Sequence, residues 1–206
     1  MAESKLAHPP RRLHRPFLDR LRLMVEGQLG APCELHLPDP DLLRAALVRR
    51  HLTRLDLRAV EVPMGDREAR ATTLAVTLEG LDLRGPRLRP TVQAAGGRFI
   101  ATFGDEAIRQ LVDLPPVINR VWLFEDALRV STVVGVAFDA DLGIEDEQVV
   151  IRPRGAGALA GPLPWRSLTR PLPELPFGAV LETLQVDGGQ VTASGFLEPG
   201  HLAWTL

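Results

Sequence analysis

The chain has 206 residues, 45% of them hydrophobic and 24% charged, which is typical of a soluble globular protein. Its net charge of -2 argues against general nucleic-acid binding, which needs a strong basic excess. With seven Phe, three Trp and no Tyr, the interior is expected to be mainly Leu, Val and Ala, and the single cysteine, Cys33, excludes an internal disulfide.

The N-terminal segment "MAESKLAHPPRRLHR" is basic and lacks the apolar run of a signal peptide. We therefore expect residues 1–16 to be disordered and residues 17–206 to form a single domain. The expected location is cytoplasmic as the sequence is written, or the cell envelope if a leader was removed. Arginines beside an amphipathic helix can lie on an anionic bilayer, so Arg11, Arg12 and Arg15 are the predicted membrane-contact residues.

Three helices are predicted from hydrophobic spacing and capping residues. The first covers residues 17–29, where apolar side chains recur at helical intervals. The second covers residues 38–51, where an Asp-Pro pair suits the N-cap and the first helical position. In the third, Thr102 and Asp105 are spaced like a capping box.

Two long apolar runs have the period of β-strands. In "TTLAVTLEGLDLRG", residues 72–85, apolar residues alternate with polar ones up to Gly80 and then take the opposite parity, so a bulge at Gly80 would restore a common face. A second one-sided run covers residues 128–138. Strands so much longer than usual must twist and curl, which favours an elongated trough over a flat slab.

The C-terminal stretch "AVLETLQVDGGQVTASGF" predicts a β-hairpin. Two alternating runs flank Gly188 and Gly189, which suit a tight turn with positive φ at both central residues. Too few residues follow Gly178 to bury a core of their own, so the hairpin must complete a sheet begun earlier. The proline-rich segment 152–177 is then a crossing loop.

Motifs of catalysis and cofactor binding are missing from the sequence. It has no nucleophile elbow, phosphate loop or H-E-x-x-H, and its five histidines have no metal-ligand spacing. We expect no catalytic residue, metal or cofactor, and a protein that binds without catalysing. Glu125 and Asp126 are placed in a turn between two strands, and the acidic cluster is either a solvated turn or a calcium loop. The cluster comprises Asp139, Asp141, Glu145, Asp146 and Glu147.

The stretches "LPELPFGAVLETLQVDGGQVTASGF", "TTLAVTLEGLDLRG" and "NRVWLFEDALRVSTVVGVAF" resemble segments of the actinobacterial LmeA-like phospholipid-binding proteins. The resemblance covers residues 17–205. It implies an α+β fold of the tubular lipid-binding type, in which a long, strongly curved antiparallel sheet wraps around a helix and leaves an apolar tunnel. It also implies phospholipid acyl chains as the ligand. Such proteins are commonly exported, whereas no leader is visible here.

The expected function is therefore non-catalytic binding or carrying of phospholipid or another acyl-chain lipid. Apolar burial holds acyl chains, so no precise polar motif is needed. The alternative is a protein-interaction or structural module with a fully packed core, and a continuous void would favour lipid. The candidate lipid-binding residues are Leu74, Val76, Leu78, Trp122, Phe124, Val130, Val134, Val136 and Phe138.

Overall fold

The computed structural model places the chain in the α+β class, with much more antiparallel sheet than helix. The predicted helix over residues 38–51 lies largely outside the residues that the structure describes. The described residues are 15–37, 48–64, 69–85, 90–111, 116–146, 148–155, 168–171 and 175–205.

The described part of the chain contains the α-helices α1 and α2, the 3₁₀ helices Pro176–Gly178 and Pro199–His201, and two antiparallel sheets; residues 48 and 49 are also helical. Sheet A has the strand order β1-β2-β3-β4-β11-β10, with β12 also paired to β4, and sheet B has the order β5-β6-β7-β8-β9. The elements are α1 (Arg15–Leu29), β1 (Cys33–His36), β2 (His51–Pro63), β3 (Arg70–Arg84), β4 (Thr91–Phe103), α2 (Asp105–Leu111), β5 (Ile118–Phe124), β6 (Ala127–Thr132), β7 (Ala137–Glu145), β8 (Gln148–Pro153), β9 (Leu168–Pro171), β10 (Ala179–Asp187), β11 (Gln190–Leu197) and β12 (Ala203–Thr205).

Helix α1 confirms the first predicted helix. Leu21, Val25 and Leu29 form its buried stripe and belong to the same core cluster as both sheets. The helix ends at Leu29, and the next residue, Gly30, has a φ of +66°, which suits a left-handed C-terminal cap. Its last turn is tied to the far end of the chain, because the Trp204 indole donates a hydrogen bond to a Gln28 side chain 2.5 Å away.

The long strands of sheet A keep one face buried by switching parity together. In β2 the buried residue after Leu52 is Leu55, and in β3 the buried residue after Leu78 is Leu81. Consecutive buried residues are therefore three positions apart at this point in both strands, instead of the usual two. Leu52 pairs with Leu81 and Leu55 pairs with Leu78, so the switch falls on the same line across the sheet. Gly80 lies on that line with a φ of +59°.

The prediction of a common buried face around Gly80 is confirmed, but the predicted bulge is wrong. The pairing of β3 with β2 and with β4 keeps one register on both sides of Gly80. The neighbouring strands change parity at the same level, so no extra residue is needed. We call this level, which crosses the sheet at Thr53, Gly80 and Ala95, the parity line.

The prediction of a single strand over residues 128–138 is also wrong. The run forms two strands, β6 and β7, joined by a turn at residues 133–136. Gly135 has a φ of +83°, and Thr132 bonds to Val136 through both its backbone and its hydroxyl group. The hydroxyl at Thr132 and the glycine that follows therefore supply a turn where the apolar alternation alone suggested a continuous strand.

The C-terminal hairpin is confirmed. Gly188 and Gly189 have φ values of +55° and +73°, as the tight turn requires. Strand β11 pairs along β4, so the hairpin completes sheet A as predicted. The turn also contacts sheet B, because the Gly189 amide donates to the Glu125 carbonyl oxygen at 3.0 Å.

The third predicted helix exists as α2, but its predicted capping box does not form. Thr102 belongs to β4, where its hydroxyl bonds to that of Thr73 at 2.6 Å. Asp105 begins α2 and accepts a hydrogen bond from the Leu123 amide of β5 at 2.6 Å. The aspartate therefore links the helix to sheet B.

Replacing Gly80 with Ala should destabilise the protein by about 1–3 kcal/mol, because the new methyl group would be strained and crowded. The backbone is left-handed there, and a Cβ would lie 2.9 Å from the Ala95 Cβ. Gly96→Ala is the matched control on the neighbouring strand, since nothing lies within 4 Å of a Cβ at that position. Chemical denaturation should give a change within about 0.5 kcal/mol for the control. Equal stabilities for the two variants would contradict this account of Gly80.

Candidate functional site

The buried face of sheet A forms a continuous aliphatic surface across four strands. Leu57, Val76, Phe99 and Gly195 are successive partners across β2, β3, β4 and β11. The rows on either side are built in the same way. We call this face the inner surface; it comprises Leu55, Leu57, Ala59, Leu74, Val76, Leu78, Gly97, Phe99, Ala101, Val191, Ala193, Gly195 and Leu197.

Small residues occupy the β4 and β11 side of the inner surface. A Cβ at Gly97 would lie 2.9 Å from the Thr77 carbonyl oxygen and 3.0 Å from the Leu78 side chain. A Cβ at Gly195 would lie 2.0 Å from the Val180 carbonyl oxygen. Leu78 and Phe99 therefore lie over glycines, and larger residues at these two positions would displace them.

Five of the candidate lipid-binding residues lie in one buried cluster. Leu74, Val76 and Leu78 belong to the inner surface, while Val130 and Phe138 are paired on neighbouring strands of sheet B. The cluster also includes the buried stripe of α1. The two sheets thus bring these five side chains into one apolar region.

Trp122 and Phe124 lie on the other face of sheet B. Their neighbours in β5, Val121 and Leu123, are the buried ones. The Arg120 guanidinium lies over the Trp122 ring at 5.6 Å from its centroid, and Arg129 lies over the Phe124 ring at 5.2 Å. The structure therefore separates these two aromatic residues from the buried cluster and gives them arginine neighbours.

The last two candidates lie at the turn between β6 and β7. Val136 is partly buried, whereas Val134 is 70% exposed at the turn. Their separation from the cluster follows from the turn that replaces the expected long strand. Of the predicted membrane-contact residues, Arg15 is the first residue of α1, and Arg11 and Arg12 lie outside the described residues.

Sequence reasoning missed most of the inner surface outside β3. Leu55, Leu57 and Ala59 alternate in "RLDLRAV", so β2 carried a readable period-2 signal. Strand β4 did not, because the sequence "TVQAAGGRFIATF" places small residues where large apolar ones would reveal a buried face. Those positions become recognisable only when the neighbouring strands are in register.

Three carboxylates of the acidic cluster pair with arginines. Asp139 lies 3.3 Å from Arg129, and Asp141 lies 2.5 Å from Arg154. A third pair joins Glu145 to Arg152, and Glu147 lies outside the described residues. This pairing favours the solvated turn over the calcium loop. Among the residues that the structure describes, no three His, Cys, Asp or Glu side chains are grouped to hold a metal ion.

Asp126 and the described histidines engage separate partners. Glu125 and Asp126 form the turn between β5 and β6 as predicted, and Asp126 pairs with Arg154 at 3.2 Å. The described histidines each face a carboxylate of their own. These pairs are His36 with Glu34, His51 with Asp82 and His201 with Glu198.

Cys33 is buried where α1 meets β1. Its amide donates to the Glu26 carboxylate at 3.1 Å. Burial, together with the negative charge of Glu26, raises the pKa of the Cys33 thiol from 9.0 to about 11, against a smaller opposing effect of Arg22. The thiol is therefore protonated and unreactive near neutral pH.

These features define an α+β protein with an aliphatic inner surface and charged residues on the other face of sheet B. The chain belongs to the LmeA-like phospholipid-binding family, whose sequence model matches residues 41–196, most of the chain. No curated protein and no solved structure matches it. None of the described helices is long and apolar enough to cross a membrane.

The free energy of unfolding should decrease as pH rises from about 9 to about 11, partly because of Cys33. Over this range the unfolded chain releases the thiol proton while the folded protein retains it, so the stabilisation present below pH 9 is lost as pH rises through the folded pKa. Denaturant titrations across the range should give a steeper decrease for the wild type than for Cys33→Ala. Parallel curves would rule out a raised pKa at Cys33.

Proposed function

We propose that this protein binds or carries a phospholipid or another acyl-chain lipid without catalysing a reaction on it. The observation that carries the proposal is the chemistry of the inner surface in a member of a phospholipid-binding family. Thr132 is the one polar or charged side chain buried among the described residues, and its hydroxyl is already bonded to the Val136 carbonyl oxygen at 3.2 Å. The apolar region is therefore suited to contact hydrocarbon chains and has few groups that could bind a polar headgroup.

Acyl chains would be held by apolar burial, which contributes about 0.8 kcal/mol for each methylene removed from water. A phosphate headgroup would lose its hydration in the same region without finding a charged partner, at a cost of several kcal/mol. The headgroup would therefore stay at the rim of the apolar region. Selectivity in this arrangement depends on chain length and shape more than on headgroup chemistry.

The curved sheet and apolar tunnel implied by the family resemblance belong to this proposal. Support comes from the parity line, which lets strands of 13 and 15 residues keep the same face towards the core. A second parity switch links Ala59 to Val62 in β2 and Leu74 to Ala71 in β3. Two such switches let a long, twisted sheet keep one apolar face along its length, as a sheet around an acyl chain would need.

The alternative of an interaction module is supported by a different face. Ile100 and Phe196 are 53% and 38% exposed on the outer side of sheet A. Exposed apolar residues on neighbouring strands could contact a protein partner. The two functions predict different effects of substitution on the two faces of β3. Lipid carriage depends on Val76, which faces inward, whereas contact with a protein partner depends on the face that carries Ala75, which points outward.

Val76→Thr should weaken uptake of a fluorescent-acyl phospholipid by about tenfold, equal to about 1.4 kcal/mol. The substitution keeps the shape of the side chain and places a hydroxyl on the inner surface. Ala75→Thr is the matched control, because it puts the same residue on the exposed face of the same strand. Its affinity should stay close to that of the wild type.

The affinities are compared by titration only after thermal unfolding shows that both variants fold. Saturable uptake that is reduced in Val76→Thr alone supports carriage on the inner surface. Failure of the wild type to take up the probe would contradict the proposal. Equal sensitivity at both positions would place the lipid elsewhere.

A further inference from the structure

The turn between β6 and β7 exposes two valines side by side. Val133 and Val134 are 62% and 70% exposed, among the most exposed large apolar residues that the structure describes. Backbone hydrogen bonds hold the turn in place: the Val133 amide donates to the Val117 carbonyl oxygen at 3.0 Å, and the Gly135 amide to that of Thr132 at the same distance. The valines are thus presented to solvent by an ordered turn.

The ends of β5, β6 and β7 beside this turn carry little charge. In residues 116–121 and 130–138, Arg120 is the one charged residue. No ion pair holds Arg120 within the described part of the chain, and its guanidinium lies over Trp122. We call these strand ends, with the exposed valines and Arg120, the valine tip; Trp122 lies one pairing level behind them, opposite Arg129.

The opposite end of sheet B carries four carboxylates, of which Asp126 and Glu145 pair with Arg154 and Arg152, and we call it the acidic end. The turn from β5 to β6 contains Glu125 and Asp126, and the turn from β7 lies beyond Glu145 at Asp146. In an antiparallel meander both of these turns are at the end away from residues 133–135. Sheet B therefore has an apolar end with one arginine and an acidic end.

We propose that the valine tip docks on a bilayer surface containing anionic lipids. Valines insert among the acyl chains, Arg120 meets the lipid phosphates, and the acidic end points away from the negative surface. This inference deepens the proposed function, because a lipid carrier must reach a membrane. It adds a contact on sheet B to the one predicted at the N-terminal arginines.

The spacing along the strands fits the depth of an interface. Trp122 pairs with Arg129, three residues along β6 from Thr132, which places the indole about 10 Å behind the start of the turn. Interfacial segments insert about 5–10 Å into a bilayer, and tryptophan is enriched at the level of the headgroups. When the valines are inserted, Trp122 and Arg120 would lie near the headgroups.

The test uses an environment-sensitive fluorophore on a Val134→Cys variant. Cys33 is buried and its thiol is protonated near neutral pH, so labelling is selective for the new thiol. A labelled Val60→Cys variant is the control, since Val60 is 54% exposed on sheet A. Phosphatidylglycerol-containing vesicles should shift the emission at position 134 to the blue and leave position 60 unchanged. No shift at position 134, or equal shifts at both positions, overturns the inference.

Vesicle sedimentation gives a second readout without a label. Val133→Asp combined with Val134→Asp should weaken binding to phosphatidylglycerol-containing vesicles by about tenfold or more, and Val60→Asp by less than about twofold. Arg120→Ser should weaken binding to those vesicles and leave the weaker binding to phosphatidylcholine vesicles unchanged. Unchanged binding of the double variant overturns the inference.

The same samples separate this inference from the proposed function. The double variant should still take up a fluorescent-acyl phospholipid from detergent solution, because its substitutions lie on an exposed turn. Uptake without tip-dependent vesicle binding overturns the docking inference and leaves carriage standing. Tip-dependent binding without uptake keeps the docking surface and removes carriage.

Discussion

The inner surface depends on a change of parity that several strands make at the same level. A strand alternates its side chains between two faces, so a spacing of three between buried residues changes which alternate set points inward. Here Gly80 adopts a left-handed backbone, and on β4 Gly97 lies directly opposite Leu78. Neither position has room for a Cβ at ordinary contact distance. Because the neighbouring strands switch together, the hydrogen-bond register is preserved and one face stays apolar throughout.

The two faces of sheet B differ in chemistry: one is apolar and buried, and the other carries charged side chains. Its buried face contributes Val130 and Phe138 to the same cluster as the inner surface. Its other face carries aromatic rings under arginines and a series of carboxylate-arginine pairs, such as Asp141 with Arg154. Charged side chains are thereby kept away from the buried cluster, where their burial would be costly.

The sequence predicted those parts of the fold whose residue patterns act over a few neighbouring positions, and it failed where the cause lies on another strand. The hairpin at Gly188 and Gly189 and the helix before Gly30 were readable, because turn glycines and helical spacing act over a few residues. The opposite parities around Gly80 were also readable, but their cause was not, since the matching switches lie on β2 and β4. The run over residues 128–138 was misread because Thr132 fits a strand as well as a turn.

The sequence predicted the part of the candidate site that lies on a single strand, and missed the part that depends on pairing between strands. Leu74, Val76 and Leu78 follow the period of one strand, and their common face is visible in the sequence. Trp122 is different, because its face depends on which neighbours in β5 are buried. The small residues of β4 carry no apolar signal of their own. Their place on the inner surface follows from pairing between distant segments, which a single sequence does not display.

Lipid carriage is tested most directly by native mass spectrometry of the protein purified under mild conditions from its own host. The account predicts a species heavier than the polypeptide by the mass of a phospholipid, with the same lipid recovered by extraction after denaturation. A bare polypeptide that yields no extractable lipid, and that takes up none when phospholipid is supplied, would contradict it.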